Sequence, residues 1–203
     1  MFFMTVNDFY KSIFGSKTYK ISLNAGCTCP TRDGTLGKGG CIFCSAAGSG
    51  DFTPQASSIP EQIESAKSLL APKLKYRNIK YIAYFQSFTN TYGDFSRLRQ
   101  LWEQALSDPE VCGLALGTRP DCLSEECVEY LAHLAESTFV QVELGLQTSN
   151  EKTGEYIRRC FTNDIFWQAV QRLKKANPNI HVAAHLIFGL PGDGCEDMLD
   201  SVR

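Results

Sequence analysis

Phe139-Val140-Gln141-Val142-Glu143-Leu144-Gly145-Leu146-Gln147 decides the fold. Val140, Val142, Leu144 and Leu146 alternate with Gln141, Glu143, Gly145 and Gln147. Successive side chains of a strand point to opposite faces, so the apolar row packs on covering helices while the polar row faces the other way. A parallel strand covered by helices on both sides is apolar on both. A polar inner row instead suits a barrel whose interior holds a ligand. His181 to Phe188 behaves alike, with Val182, Leu186 and Phe188 facing out and His181, Ala183, His185 and Ile187 facing in.

Outward from this stretch, strands and helices alternate. Tyr19 to Asn24 reads as a first strand, followed by a loop over 25–58 rich in Gly, Cys and Thr. Ser58 caps a helix that opens at Pro60 and runs to about Leu70. Lys80 to Gln86 is a second strand; Asp94 to Ser107 a helix with Phe95, Leu98, Leu101, Trp102 and Ala105 on one face; Gly113 to Thr118 a third strand; Ser124 to Leu134 a helix. After the fourth strand come helices over Glu151–Ile157 and Thr162–Ala176, a fifth strand ending at Gly189-Leu190-Pro191-Gly192, and a helix from near Cys195. This order predicts an α/β fold with a parallel sheet and right-handed crossovers. No linker interrupts it, so residues 1–203 read as one domain with 1–17 as an N-terminal segment.

Composition removes several classes. With 43% hydrophobic and 21% charged residues, the 203-residue chain is neither a disordered tail nor a coiled coil. A net charge of −2 gives no bulk field for nucleic acid or an anionic membrane. No apolar run approaches the ~18–20 residues of a membrane span, and the N-terminus lacks a cleavage pattern. The expectation is a soluble, cytoplasmic protein with no membrane partner.

Nine cysteines stand out, an odd number without an export signal, so reduced thiols or metal ligands are preferred over a disulfide framework. Cys29, Cys41 and Cys44 form C-x(11)-C-x(2)-C in a Gly-rich loop, with Cys27 as an awkward fourth. Three thiolates on a four-iron cube leave one iron open, whereas four make a closed site. Spacing alone leaves an iron–sulfur cluster, a zinc site and plain thiols all open.

The stretch from Ser22 to Cys44, containing Cys27-Thr28-Cys29-Pro30-Thr31-Arg32-Asp33-Gly34 and Gly39-Gly40-Cys41-Ile42-Phe43-Cys44, resembles the cluster loop of the radical S-adenosylmethionine (SAM) superfamily. More narrowly it is similar to the YhcC/YtqA-like group, relatives of the radical SAM domain of the Elongator catalytic subunit. Tyr84-Phe85-Gln86-Ser87-Phe88-Thr89-Asn90-Thr91-Tyr92, Thr118-Arg119-Pro120-Asp121, Val142 to Thr148 and His185 to Pro191 agree, in order.

The resemblance implies a partial (β/α)6 TIM-like barrel, cut short after the fifth strand, with the sixth strand and C-terminal part absent. It implies a 4Fe–4S cluster on Cys29, Cys41 and Cys44, as catalytic centre and metal ligands. S-adenosyl-L-methionine would be cleaved reductively there to a 5′-deoxyadenosyl radical. Phe43 matches the aromatic position near the adenine. Gln86, Ser87 and Thr89 stand where the SAM amino group is held, Glu143 and Gln147 where the ribose or carboxylate is met, and Gly189, Leu190 and Pro191 where the chain passes under the adenine. A reductant such as flavodoxin or ferredoxin is the implied partner. Modification of a tRNA wobble uridine side chain is the implied activity, with a small-molecule or peptide substrate, or a zinc-stabilised binding module, as alternatives.

Other residues read more plainly. Cys112, Cys122, Cys127, Cys160 and Cys195 are core or surface thiols, and His133, Lys174-Lys175 and Arg158-Arg159 lie on solvated faces. His185 is either a core histidine or a substrate contact. Glu143 needs a partner if buried, and Arg119 either binds a carboxylate or pairs with Asp121 or Glu143. Strand five presents an edge to be covered by further chain, by a second copy in an oligomer, or by the N-terminal thirteen residues with Phe2, Phe3, Phe9 and Tyr10.

Overall fold

Five parallel strands form one sheet in the computed structural model, which describes residues 4–48, 58–73 and 79–203. They are β1 (Thr18–Leu23), β2 (Lys80–Phe85), β3 (Val111–Thr118), β4 (Phe139–Gln147) and β5 (His181–Leu186), and each pairs with the next in chain order. Stepping always to the same side is how βα units build a barrel wall; a doubly wound sheet would reverse direction at a switch point. The barrel expectation stands in this order, and β1 and β5 are the edges of the described sheet.

Helices cover the outer face: α2 (Ile59–Leu70), α3 (Phe95–Leu106), α4 (Glu125–Leu134) and α6 (Asn163–Ala176). Three start as the sequence predicts, because a side-chain oxygen meets an otherwise orphaned amide of the first turn. Ser58 and Glu61 form a reciprocal capping box, Asp94 accepts from Arg97 N at 2.7 Å, and Ser124 accepts from Cys127 N at 3.2 Å. The apolar row of β4, Val140 to Leu146, enters one core with Ile63, Leu98, Trp102, Leu131 and Leu173 from the helices.

The opposite face is the barrel interior, and the register stacks it in tiers. Lys20, Ile82, Gly113 and Phe139 stand in one row, then Ser22, Tyr84, Ala115, Gln141 and His181, then Gly117, Glu143 and Ala183. β3 contributes Gly113, Ala115 and Gly117 to these rows, which leaves room in the middle, while Cys112 at its bulged start packs with the aromatic floor. The lower end is plugged by α1 (Val6–Phe14), capped by Thr5 and closed by Gly15 at φ 66°. Phe9, Tyr10 and Phe14 surround the Phe139 ring at centroid distances of 5.2–6.5 Å, and Tyr10 donates to Gln141 Oε1 at 3.0 Å.

Two expectations are corrected. The N-terminal aromatics close the floor of the barrel rather than the outer edge of β5; Phe2 and Phe3 lie outside the described residues, as does 49–57 of the cysteine loop. β5 ends at Leu186, where pairing slips between Gly145 and Gln147, so Phe188 leaves the strand and is 58% exposed instead of packing on helices. The short α5 (Glu151–Tyr156) and α7 (Cys195–Val202) complete the described elements.

Gly113 lets the Phe139 ring lie across β3: an added Cβ would stand 2.8 Å from the ring and 2.9 Å from the Phe139 carbonyl oxygen. Because backbone as well as side chain must give, Gly113→Ala is expected to cost about 1–3 kcal/mol in denaturant unfolding. An unchanged midpoint would mean the floor is loosely packed.

Candidate active site

A cavity of about 500 Å³ opens at the C-terminal ends of the strands. One wall is the cysteine loop, which leaves β1 and turns back twice. Arg32 N and Asp33 N donate to Cys29 O at 2.8 and 3.1 Å, and Gly40 N returns to Thr31 O at 2.9 Å. Gly39 and Gly40 take φ of 87° and 78°, where an L side chain is strained, and a Cβ on Gly40 would meet Arg32 Nε at 2.7 Å. This reversal returns Cys41 and Cys44 to the same cavity as Cys29, and all three thiols line it.

Two of the three thiols, Cys41 and Cys44, are in hydrogen-bond contact. Cys44 is lowered to about 7, first by the hydrogen bond from Cys41 and also by the nearby Arg32; Cys41 is raised by that same bond and by burial. Cys29 contacts Thr31 Oγ1 at 3.1 Å. Cys27 goes elsewhere. It packs against the outer core beside Arg97, and burial pushes its thiol up to about 11. It does not line the cavity.

The floor is the polar inner row. Glu143, 3% exposed, accepts from Gln141 Nε2 at 2.7 Å, meets His185 Nε2 at 2.8 Å, and pairs with Lys20. Tyr84 also hydrogen-bonds it, and its phenol is raised by burial and by that carboxylate. Burial alone raises the Glu143 carboxyl, but His185, the Lys20 charge and Tyr84 outweigh it and bring it from 4.5 down to about 2. Gln147 turns over the mouth from a left-handed backbone at φ 71°, and a Cβ on Gly145 would stand 2.4 Å from its amide nitrogen.

The residues singled out in the sequence separate cleanly. Cys29, Cys41, Phe43, Cys44, Gln86, Thr89, Glu143 and Gln147 come together around the cavity. Ser87, 2% exposed, lies behind the wall, and Gly189, Leu190 and Pro191 fall beyond it; residues 184–187 line that side instead. Arg119 makes a two-pronged pair with Asp121 at 2.9 and 2.7 Å. Arg159 is corrected outright: expected at a solvated face, it is 1% exposed and lines the cavity with Phe161. Lys20 was not singled out, although it shares inner-row parity with Ser22 on β1, the signal that would have found it.

The sequence profile of the radical SAM superfamily matches residues 33–203, and the chain belongs to that superfamily. It is 41% identical over 200 residues to YtqA of Bacillus subtilis, covering 98% of this chain and 61% of that protein. To YhcC of Escherichia coli it is 36% identical over 191 residues, covering 94% and 60%. The chain therefore spans about three-fifths of the length of these curated relatives. A more distant relative, a tRNA-2-methylthio-N(6)-dimethylallyladenosine synthase of Sulfurihydrogenibium, is 27% identical over 130 residues, covering 62% and 29%. Among solved structures, Elp3 of Methanocaldococcus infernus superposes with a TM-score of 0.59 at 18% identity, covering 89% of this chain and 40% of that one; this likeness shows the fold.

The depressed Glu143 carboxyl fixes the sign of a pH effect. A carboxyl lowered by folding stabilises fully above its unfolded value, and the contribution is lost as pH falls toward the folded value. Between about pH 4.5 and 2, wild-type stability is expected to drop by up to about 3 kcal/mol through this group. Glu143→Gln should flatten that limb and be the less stable protein at neutral pH. Parallel acid limbs in urea titrations would show that Glu143 is not held this way.

Proposed function

We propose that the chain holds a 4Fe–4S cluster on Cys29, Cys41 and Cys44 with SAM beside it, as the SAM-cleaving part of a radical SAM enzyme. One observation carries this reading: three thiols from one loop reach the cavity into which the polar row of β4 opens, while Cys27 turns into the outer core. The chemistry supplied is one-electron cleavage of SAM to methionine and a 5′-deoxyadenosyl radical, which abstracts hydrogen from substrate.

The chain's residues bind and orient. Cys44 is held toward its ionised, ligating form by the hydrogen bond from Cys41 and by Arg32. Glu143 stays ionised and offers carboxylate oxygens to hydroxyl or ammonium donors, exchanging the half-exposed His185 for the ligand. Gln86, Thr89 and Gln147 add neutral donors and acceptors around the mouth, and Phe43 supplies an apolar edge.

After anaerobic reconstitution the protein should carry close to four irons per chain, the ligand set a cubane with one open iron requires. Cys29→Ala, Cys41→Ala and Cys44→Ala should each abolish the cluster, while Cys27→Ala keeps it. Glu143→Ala or Gln147→Ala should leave the cluster spectrum unchanged and weaken SAM binding by about 1–3 kcal/mol in calorimetry. Equal loss in the Cys27 variant, or full SAM affinity in both polar-row variants, would overturn the assignment.

For substrate we infer a nucleoside of tRNA, with the wobble uridine side chain as target. The tRNA-modifying relative, whose own target is an adenosine, supports only a tRNA nucleoside in general; the uridine rests on the sequence resemblance to the Elongator branch, and net charge adds nothing. Nucleoside analysis of tRNA from cells with and without the gene should show one modified nucleoside missing in the deletion. Identical profiles would point to a small molecule or peptide.

A further inference from the structure

Arg159 lines the cavity, yet its guanidinium has no donor left for a ligand. Nε donates to Phe161 O at 2.9 Å; Nη1 to Leu146 O at 2.9 Å and Thr148 O at 2.6 Å; Nη2 to Glu151 Oε2 at 2.7 Å and Asn163 Oδ1 at 2.8 Å. Five N–H groups meet five acceptors, the full capacity of the side chain. Those acceptors come from the end of β4, the first turn of α5, the start of α6 and the connection before it. A buried guanidinium so enclosed ties these pieces into one rigid unit.

The unit contains a turn that would not persist unaided. Arg158 and Cys160 take φ of 58° and 61°, left-handed conformations that cost free energy in non-glycine residues and survive where the surroundings over-determine them. Gly154 on α5 makes way for the guanidinium, since a Cβ there would stand 2.7 Å from Arg159 Nε and 2.8 Å from Cζ. Phe161 lies between the guanidinia of Arg159 and Arg119, at 5.0 and 5.2 Å.

This turn faces the cysteine loop. Ile42 N donates to Ile157 O at 3.2 Å, and Cys41 Sγ lies 3.4 Å from Arg158 O. The Ile42 bond joins the two segments by backbone, whatever the state of the thiols. We propose that Arg159 is the positioning residue of the metal-binding loop: it locks the Ile157–Cys160 turn, and the turn holds the Cys41–Cys44 half of the loop against the cavity wall. The function of that loop as a cluster site rests on the reading above; the mechanical tie does not.

The test therefore begins on the metal-free full chain. Thiol alkylation, read by mass spectrometry at Cys41, Cys29 and the buried core thiol Cys127, is compared in wild type, Arg159→Met, Arg159→Lys and Gly154→Ala. Selective local opening should speed Cys41 by about tenfold or more in Arg159→Met, leave Cys127 at the wild-type rate, and speed Ile42 amide exchange in parallel. Arg159→Lys should be intermediate, because an ammonium has three donors and no planar fork. Gly154→Ala should mimic Arg159→Met by displacing the guanidinium. After reconstitution, the reduced-cluster resonance should broaden in the variants that loosen Cys41. Wild-type Cys41 and Ile42 rates in Arg159→Met would overturn the proposal. So would equal exposure of Cys127 in all three variants, which would make Arg159 a support of the whole fold. If Cys41 responds selectively while wild type takes up no iron, the positioning stands and the cluster reading falls.

Discussion

One buried, ionised carboxylate on β4 takes partners from three other strands, and the polar floor of the site depends on it. Glu143 on β4 is met by Lys20 of β1, Tyr84 of β2, Gln141 of its own strand and His185 of β5. β1 lies three strand positions from β4, about 14 Å across a flat sheet, too far for a lysine–glutamate contact given the strand spacing. The pair forms because the sheet curls, and the small inward residues Gly113, Ala115 and Gly117 of β3, the strand between β2 and β4, leave room for it. Burying such a charge without partners would cost several kcal/mol. With four donors in place it stays charged, and the barrel interior is polar by construction.

That polarity makes the two ends of the barrel different. At the floor the interior is aromatic: Phe9, Tyr10 and Phe14 of α1 pack on Phe139, and Tyr10 reaches up to Gln141, which in turn donates to Glu143. At the mouth the same row continues as Gly145 and Gln147, which line the cavity. A continuous chain of hydrogen bonds thus runs from the N-terminal helix to the wall of the cavity. No helix among the described residues is long and apolar enough to cross a membrane.

The strand pattern was legible because parity on a strand is a local property. β4 could be read residue by residue, and the helix starts followed from Ser58, Asp94 and Ser124, whose capping needs only the next few residues. The three cavity thiols were legible from spacing and context, and Cys27, whose part the sequence left open, packs against the outer core instead. Arg159 was not, since an Arg158-Arg159 pair reads as solvated until its five acceptors are seen, drawn from residues 146 to 163. Lys20 was missed for a related reason. Its partner lies 123 residues away, and only the curl of the sheet brings them together. Gly189-Leu190-Pro191 lies outside the cavity lining, past the point where pairing slips after Gly145 and β5 ends at Leu186.

These misses share a logic that bears on how the site works. The strands supply fixed polar groups whose positions follow from register, and a strand end cannot move without disturbing the core beneath it. The cysteine loop has no such support from pairing, and two left-handed glycines make its reversal possible without making it rigid. It is held from outside, at its start by Thr89 N donating to Thr28 O at 3.2 Å and at its far end by Ile42 N on Ile157 O at 3.2 Å. Each anchor belongs to the segment following a strand, β2 in the first case and β4 in the second. The loop is therefore indexed to the same strands that carry Gln86 and Glu143, and a group gripped by its thiols would be held in register with the polar row.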